Sequence, residues 1–129
     1  MVENSDRIFV IDSSFVLAFL LDEGNKDVES VFERQAKHEV KFVAPSLLKY
    51  EVGNSLRSKV LRKKVEKSRA FLLFENFHEL DIVEEDVDYF EVLKLAVLNN
   101  LSFYDASYLY LVKQLKIKLL TLDQTLQKI

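Results

Sequence analysis

The chain has no cysteine, one proline, two glycines and two histidines in 129 residues, and each shortage closes off some chemistry. Without cysteine there is no disulfide framework, no thiolate nucleophile and no cysteine metal site, which fits the reducing cytoplasm. Gly24 and Gly53 alone cannot write a Walker A loop or a G-x-G-x-x-G fingerprint, so enzymes that cradle phosphate in a glycine loop are excluded. His38 and His78 lie far apart in sequence, and without thiols they leave little basis for zinc. The net charge of -3 excludes a globally basic protein; any contact with nucleic acid must use a local patch. Ser13 to Leu21, the longest uncharged apolar stretch, falls far short of the roughly 20 residues that span a bilayer. Glu3, Asp6 and Asp12 stand where a secretory leader would be basic and then uncharged, so export is not expected.

What remains is ordinary for a globular protein. Hydrophobic residues are 49% and charged residues 30% of the chain, which leaves little room for disorder and is consistent with one domain over residues 1–129. Ile8-Phe9-Val10-Ile11 reads as a strand buried on both faces, and it stops at Asp12. Lys41-Phe42-Val43-Ala44, Leu80-Asp81-Ile82-Val83 and Lys116 to Thr121 read as further strands. Between them lie helical stretches, among them Ser46 to about Lys64, one that starts at Glu84-Glu85-Asp86, and one that follows Leu101 to Ala106. Alternating β and α segments predict an α/β fold around a parallel sheet.

In open α/β sheets, ligands gather beyond the carboxyl ends of the strands, and there Asp12 and Asp123 end apolar runs. Taken alone, Asp12 is as well explained as the cap of the next helix. Glu51, in the second turn of its helix, and Asp105, in a first turn, are carried back toward the same edge by the crossovers. Four carboxylates meeting without a cation would repel one another, and the hard ion Mg²⁺, with Mn²⁺ as the alternative, is their natural neutraliser.

The residues around these acids add a resemblance. Val10-Ile11-Asp12-Ser13-Ser14, Pro45 to Asn54, Leu101-Ser102-Phe103-Tyr104-Asp105-Ala106 and Leu120-Thr121-Leu122-Asp123 together resemble the PIN domain, in its VapC-like toxin branch, over Ile8 to Leu126. That resemblance implies a three-layer α/β/α fold with a central parallel sheet of four or five strands. The count is open because family members commonly add a final short strand, whereas this sequence ends at Gln127-Lys128-Ile129. It further implies a magnesium-dependent endoribonuclease whose acidic positions are Asp12, Glu51, Asp105 and Asp123. Ser14, Asn54, Ser102 and Thr121 would match small polar positions that support the acids or contact water and phosphate. Also implied are an RNA substrate such as transfer RNA, a small protein antitoxin lying across apolar helical clefts, and a homodimer.

Phe15, Phe19, Phe71 and Phe74 are the candidate cleft residues, with core burial as the competing fate. Arg57, Lys59, Arg62, Lys63, Lys64, Lys67 and Arg69 form either a solvated hairpin or a track for phosphates. A phosphoryl-aspartate phosphatase would want a second Asp where Ser14 stands, and a receiver domain would want a paired acid cluster near its start. The remaining rival is a PIN-like binding or scaffold module with little catalysis.

Overall fold

The structure, a computed structural model, describes residues 7–128. Glu3 and Asp6, the residues weighed against a leader, and Ile129 lie outside them. The order is β1 (Ile8–Ile11), α1 (Ser13–Leu20), α2 (Lys26–Ala36), β2 (Lys41–Ala44), α3 (Leu47–Leu61) and α4 (Lys67–His78). It continues with β3 (Ile82–Glu84), α5 (Tyr89–Asn99), α6 (Phe103–Leu115), β4 (Lys118–Leu120) and α7 (Gln124–Gln127). Among the described residues the sheet has four strands in the order β3-β2-β1-β4, and every pairing is parallel.

The three layers follow from the two-residue period of the strands. Ile11, Phe42 and Ala44 face a core built with α1, α2, α3 and α4, where Phe32 stacks on Phe19 and meets Phe42 edge-on. Their neighbours Val10 and Val43 point the other way and pack with Tyr108, Leu111 and Ile117. α5 joins that second layer through Val92 and Ala96 against Ala106 of α6. Strands covered on both faces need apolar residues at nearly every position, which is why they read as continuous runs.

Polar side chains punctuate the helices. Asn25, Asp88 and Ser102 accept backbone amides at the starts of α2, α5 and α6. The expected helix start at Glu84-Glu85-Asp86 is corrected: Glu84 ends β3, pairs in register with Ala44, and meets Lys49 at 3.0 Å. Asp88 takes the capping role instead. α3 ends at Leu61 rather than near Lys64, with Lys63 in the left-handed region at φ 61°. Lys116, at φ 56°, closes α6 as its C-cap, so β4 begins only at Lys118.

Candidate functional site

The sheet order places a topological switch beside β1. Chain progress runs outward from β1 to β2 and β3, then returns to lay β4 on the other side of β1. The carboxyl ends of β1 and β4 therefore flank the position where such sheets receive ligands. Asp12 follows β1 directly, and its amide donates to the Leu120 carbonyl at 3.2 Å, which ties the two strand ends together.

The Asp12 side chain is only 3% exposed. Its Oδ1 accepts the Ser14 hydroxyl at 2.6 Å and the Phe15 amide at 3.1 Å, while Oδ2 accepts the Thr121 hydroxyl. The same hydroxyl oxygens accept the amides that follow β4: Leu122 donates to Ser14 at 2.8 Å and Asp123 to Thr121 at 2.9 Å. Ser14 and Thr121 thus hold the carboxylate and the β4 turn in one network. Asp12 does cap α1, as its sequence context allowed, so capping and membership of the acid cluster coexist.

Glu51, half-buried in α3, accepts the Tyr108 hydroxyl on Oε1 at 2.5 Å. Asp105 sits in the first turn of α6, where its amide donates to Ser102 Oγ at 3.0 Å. Asp123 is exposed and caps α7 by accepting the amides of Thr125 at 2.8 Å and Leu126 at 3.3 Å. Asp12, Glu51 and Asp105 each feel the charge of at least one other acid of the set. Burial raises the Asp12 carboxyl above the usual aspartate range, opposed by its hydrogen bonds and reinforced by Asp123. Burial likewise raises Glu51, with Asp105, Asp12 and Asp123 adding to the rise, and it raises Asp105, with Asp123 and Asp12 adding.

Asn54 is set apart from this network, exposed on α3 beyond Glu51. Ser102 accepts the Asp105 amide, and its side chain also hydrogen-bonds the Asp105 carboxyl, working against the rise that burial causes. Tyr108 is the residue that sequence reasoning missed. It lies three positions after Asp105 on α6, on the side of that helix that also meets Glu51, but in the sequence it looks like one more apolar core position. Burial and the neighbouring acids push its phenol far above the ordinary tyrosine range, so it remains a hydrogen-bond donor.

Among the described residues no three acidic or imidazole side chains form a ready-made metal cage. The donor set still suits a hard cation. Its oxygens are carboxylates whose mutual repulsion a cation would relieve, and Mg²⁺ needs only one or two carboxylates because it retains several waters.

Away from the acids, α3 and α4 enclose an apolar groove of about 360 Å³ lined by Gly53, Leu56, Val60, Ala70, Phe71 and Phe74, with Arg57 and Lys67 beside it. Phe71 is 69% exposed, whereas Phe15 is buried and Phe19 is stacked in the core at 4.0 Å from Phe32. The four phenylalanines therefore divide, and only Phe71 and Phe74 line a cleft. No helix among the described residues is long and apolar enough to cross a membrane.

A three-layer parallel α/β domain with acids at its switch point is the class of protein defined by this fold and site. The chain belongs to the PIN domain family, whose profile matches residues 9–129. It is 33% identical over 95 residues, 74% of this chain and 71% of the relative, to the Pyrobaculum aerophilum protein named exonuclease VapC9. It also superposes on the crystal structure of PAE2754 from Pyrobaculum aerophilum with a TM-score of 0.76 and 27% identity, over 96% of this chain and 85% of that one.

The raised carboxyls give a signed expectation for stability. A carboxyl whose folded pKa exceeds its unfolded value stabilises the fold fully below about pH 4 and loses that contribution as pH climbs through the folded value. Asp12→Asn removes one such charge and keeps an oxygen for Ser14 and Phe15. Without divalent cations, thermal melts should show the variant more stable than wild type by about 1 kcal/mol at pH 7, with the gap closing toward pH 3. A variant less stable at pH 7 would contradict the account.

Proposed function

We propose that this chain, acting as one PIN-like domain, is a divalent-metal-dependent endoribonuclease and the toxin of a toxin-antitoxin pair. The observation that carries this reading is the buried Asp12 carboxylate at the β1/β4 switch, raised by burial and sharing its field with Glu51, Asp105 and Asp123. Those four acids would hold Mg²⁺ or Mn²⁺. A divalent cation there supplies Lewis-acid charge and an ionised water for attack on a phosphodiester. Asp12 stays aimed because Ser14, Thr121 and the Phe15 amide fix both its oxygens. Glu51 and Asp105 bring negative charge from opposite layers of the sheet, and Asp123 brings it from the turn after β4.

An acidic pocket without cations repels RNA. The α3–α4 turn offers compensation, since Arg57, Arg62, Lys63, Lys64, Lys67 and Arg69 are exposed there. Leu61, the last residue of α3, lies ten residues beyond Glu51, roughly 15 Å along the helix axis at 1.5 Å per residue, and the basic turn follows it. Flanking phosphates would be held at that distance by salt-sensitive contacts. The substrate is a structured cellular RNA such as transfer RNA, met in the cytoplasm. The named activity of the Pyrobaculum relative is exonucleolytic, so the choice between end and internal cleavage is part of the test.

The α3–α4 groove would take the apolar face of the antitoxin tail. The outer face of α5, where Phe90, Val97 and Leu98 are exposed, supports a homodimer. The rival reading, a binding or scaffold module, is opposed by the intact set of four acids.

Incubation of cellular RNA with wild type and Mg²⁺ or Mn²⁺ should release products with 5′-phosphate and 3′-hydroxyl ends, and a circular RNA should be opened. Chelator should stop both. Asp12→Asn and Asp105→Asn should each lower the rate by about 100-fold or more. No cleavage with any divalent ion would favour the binding module. Opening of linear RNA only from its ends would replace the internal cut with an exonuclease. For the partner, Phe71→Glu should weaken capture of the cognate antitoxin by at least about tenfold while leaving RNA cleavage unchanged. Unaltered capture would move the antitoxin elsewhere.

A further inference from the structure

We infer that Tyr108 is a positioning residue which, through Glu51, sets the site's preference for small octahedral cations over larger ones. The inference rests on the metal-dependent reading above and names a residue outside the acid set. Tyr108 is 1% exposed and is anchored among Val10, Val43, Leu111 and Ile117 on the α6 side of the sheet. Its ring therefore has no freedom to follow a moving partner. Glu51 belongs to α3, whose Leu48, Val52 and Leu56 pack in the core on the other side. The 2.5 Å bond from the Tyr108 hydroxyl to Glu51 Oε1 thus links the two layers at the acidic rim.

A glutamate on a free surface samples many rotamers, and fixing it costs side-chain entropy whenever it binds an ion. Here the phenol holds one oxygen before any ion arrives. Oε1 already accepts a short hydrogen bond, so Oε2 is left as the better donor and the carboxylate is biased toward one-oxygen ligation. Mg²⁺ and Mn²⁺ suit such a ligand in a regular octahedron. Ca²⁺ takes six to eight oxygens and often grips a carboxylate by both. A carboxylate held by one oxygen is a poorer ligand for the larger ion. Outer hydrogen-bond partners of this kind commonly set ligand orientation and affinity.

Direct cation binding separates this inference from the nuclease reading. Calorimetric titration of the intact chain with Mn²⁺ and with Ca²⁺, in the absence of RNA, gives a ratio of affinities. Tyr108→Phe keeps the ring in the core and should lower the Mn²⁺ to Ca²⁺ ratio by about tenfold, at the low end for loss of an outer hydrogen-bond partner. In a Glu51→Gln background the same change should leave the ratio as it is, because Tyr108 then has no carboxylate to orient. A purely structural tyrosine would alter both backgrounds alike and would overturn the inference, as would an unchanged ratio in Tyr108→Phe. Should that variant not fold, Glu51→Asp tests the same contact from the other side: it leaves the core intact and draws the carboxylate away from the phenol. It should show the same loss of ratio, and a retained ratio would overturn the inference. Wild type that binds no Mn²⁺ overturns this inference together with the metal site, whereas RNA cleavage that persists with an unchanged ratio overturns only the role of Tyr108.

Discussion

A carboxylate withdrawn from water at the end of β1 imposes the strongest constraint on this fold. Burying such a charge is costly unless hydrogen bonds and a counter-charge compensate. Asp12 receives the hydrogen bonds from Ser14, Phe15 and Thr121, and these join β1, α1 and the turn after β4. Its charge, however, is met by more negative charge from Asp123, and in turn it presses on Glu51 and Asp105. The fold thus satisfies the hydrogen-bonding geometry of a buried acid while setting further negative charge beside it, charge that the proposed cation would offset. Perturbed groups gathered at a sheet's switch point are where such strain most often serves function.

The helix α3 changes in chemical character along its length. Near its start Glu51 faces the acidic rim, its middle lines the apolar groove with Gly53, Leu56 and Val60, and beyond Leu61 the chain turns through a run of basic residues. An acid, an apolar groove and a basic turn thus follow one another along one helix, the places where the proposed ion, antitoxin tail and phosphates would bind. A protein seated in the groove would lie beside Arg57 and Lys67 as well, so a partner and an RNA would compete for the same flank even without touching the same atoms.

Much of this was legible in the sequence because buried parallel strands and acidic strand ends leave strong local signals. Ile8 to Ile11 gave the central strand and Asp12 the buried acid at its end, and the order of the four acids gave the family. Boundaries were harder. Lys116 and Lys63 close helices in left-handed conformations without glycine, so no breaker residue marks the turn. The acids at Glu84 to Asp86 look like a helix start, yet the last pairing of β3 with β2 claims Glu84 and moves the cap to Asp88. Tyr108 was hidden because a buried aromatic and a buried hydrogen-bond donor look alike in a string of letters, and only the approach of α3 to α6 distinguishes them. Phe15 and Phe71 read alike for the same reason, although one is core and the other lines a groove.

By the proposal above, these carboxylates meet at one rim to share a divalent cation. A crystal of the intact chain grown with Mn²⁺ and measured at the manganese absorption edge tests it most directly. The account predicts an anomalous peak beyond the ends of β1 and β4, within coordinating distance of the Asp12 carboxylate and of at least one of Glu51, Asp105 and Asp123. Manganese bound only elsewhere, or no ordered ion at that rim at saturating concentration, would contradict it.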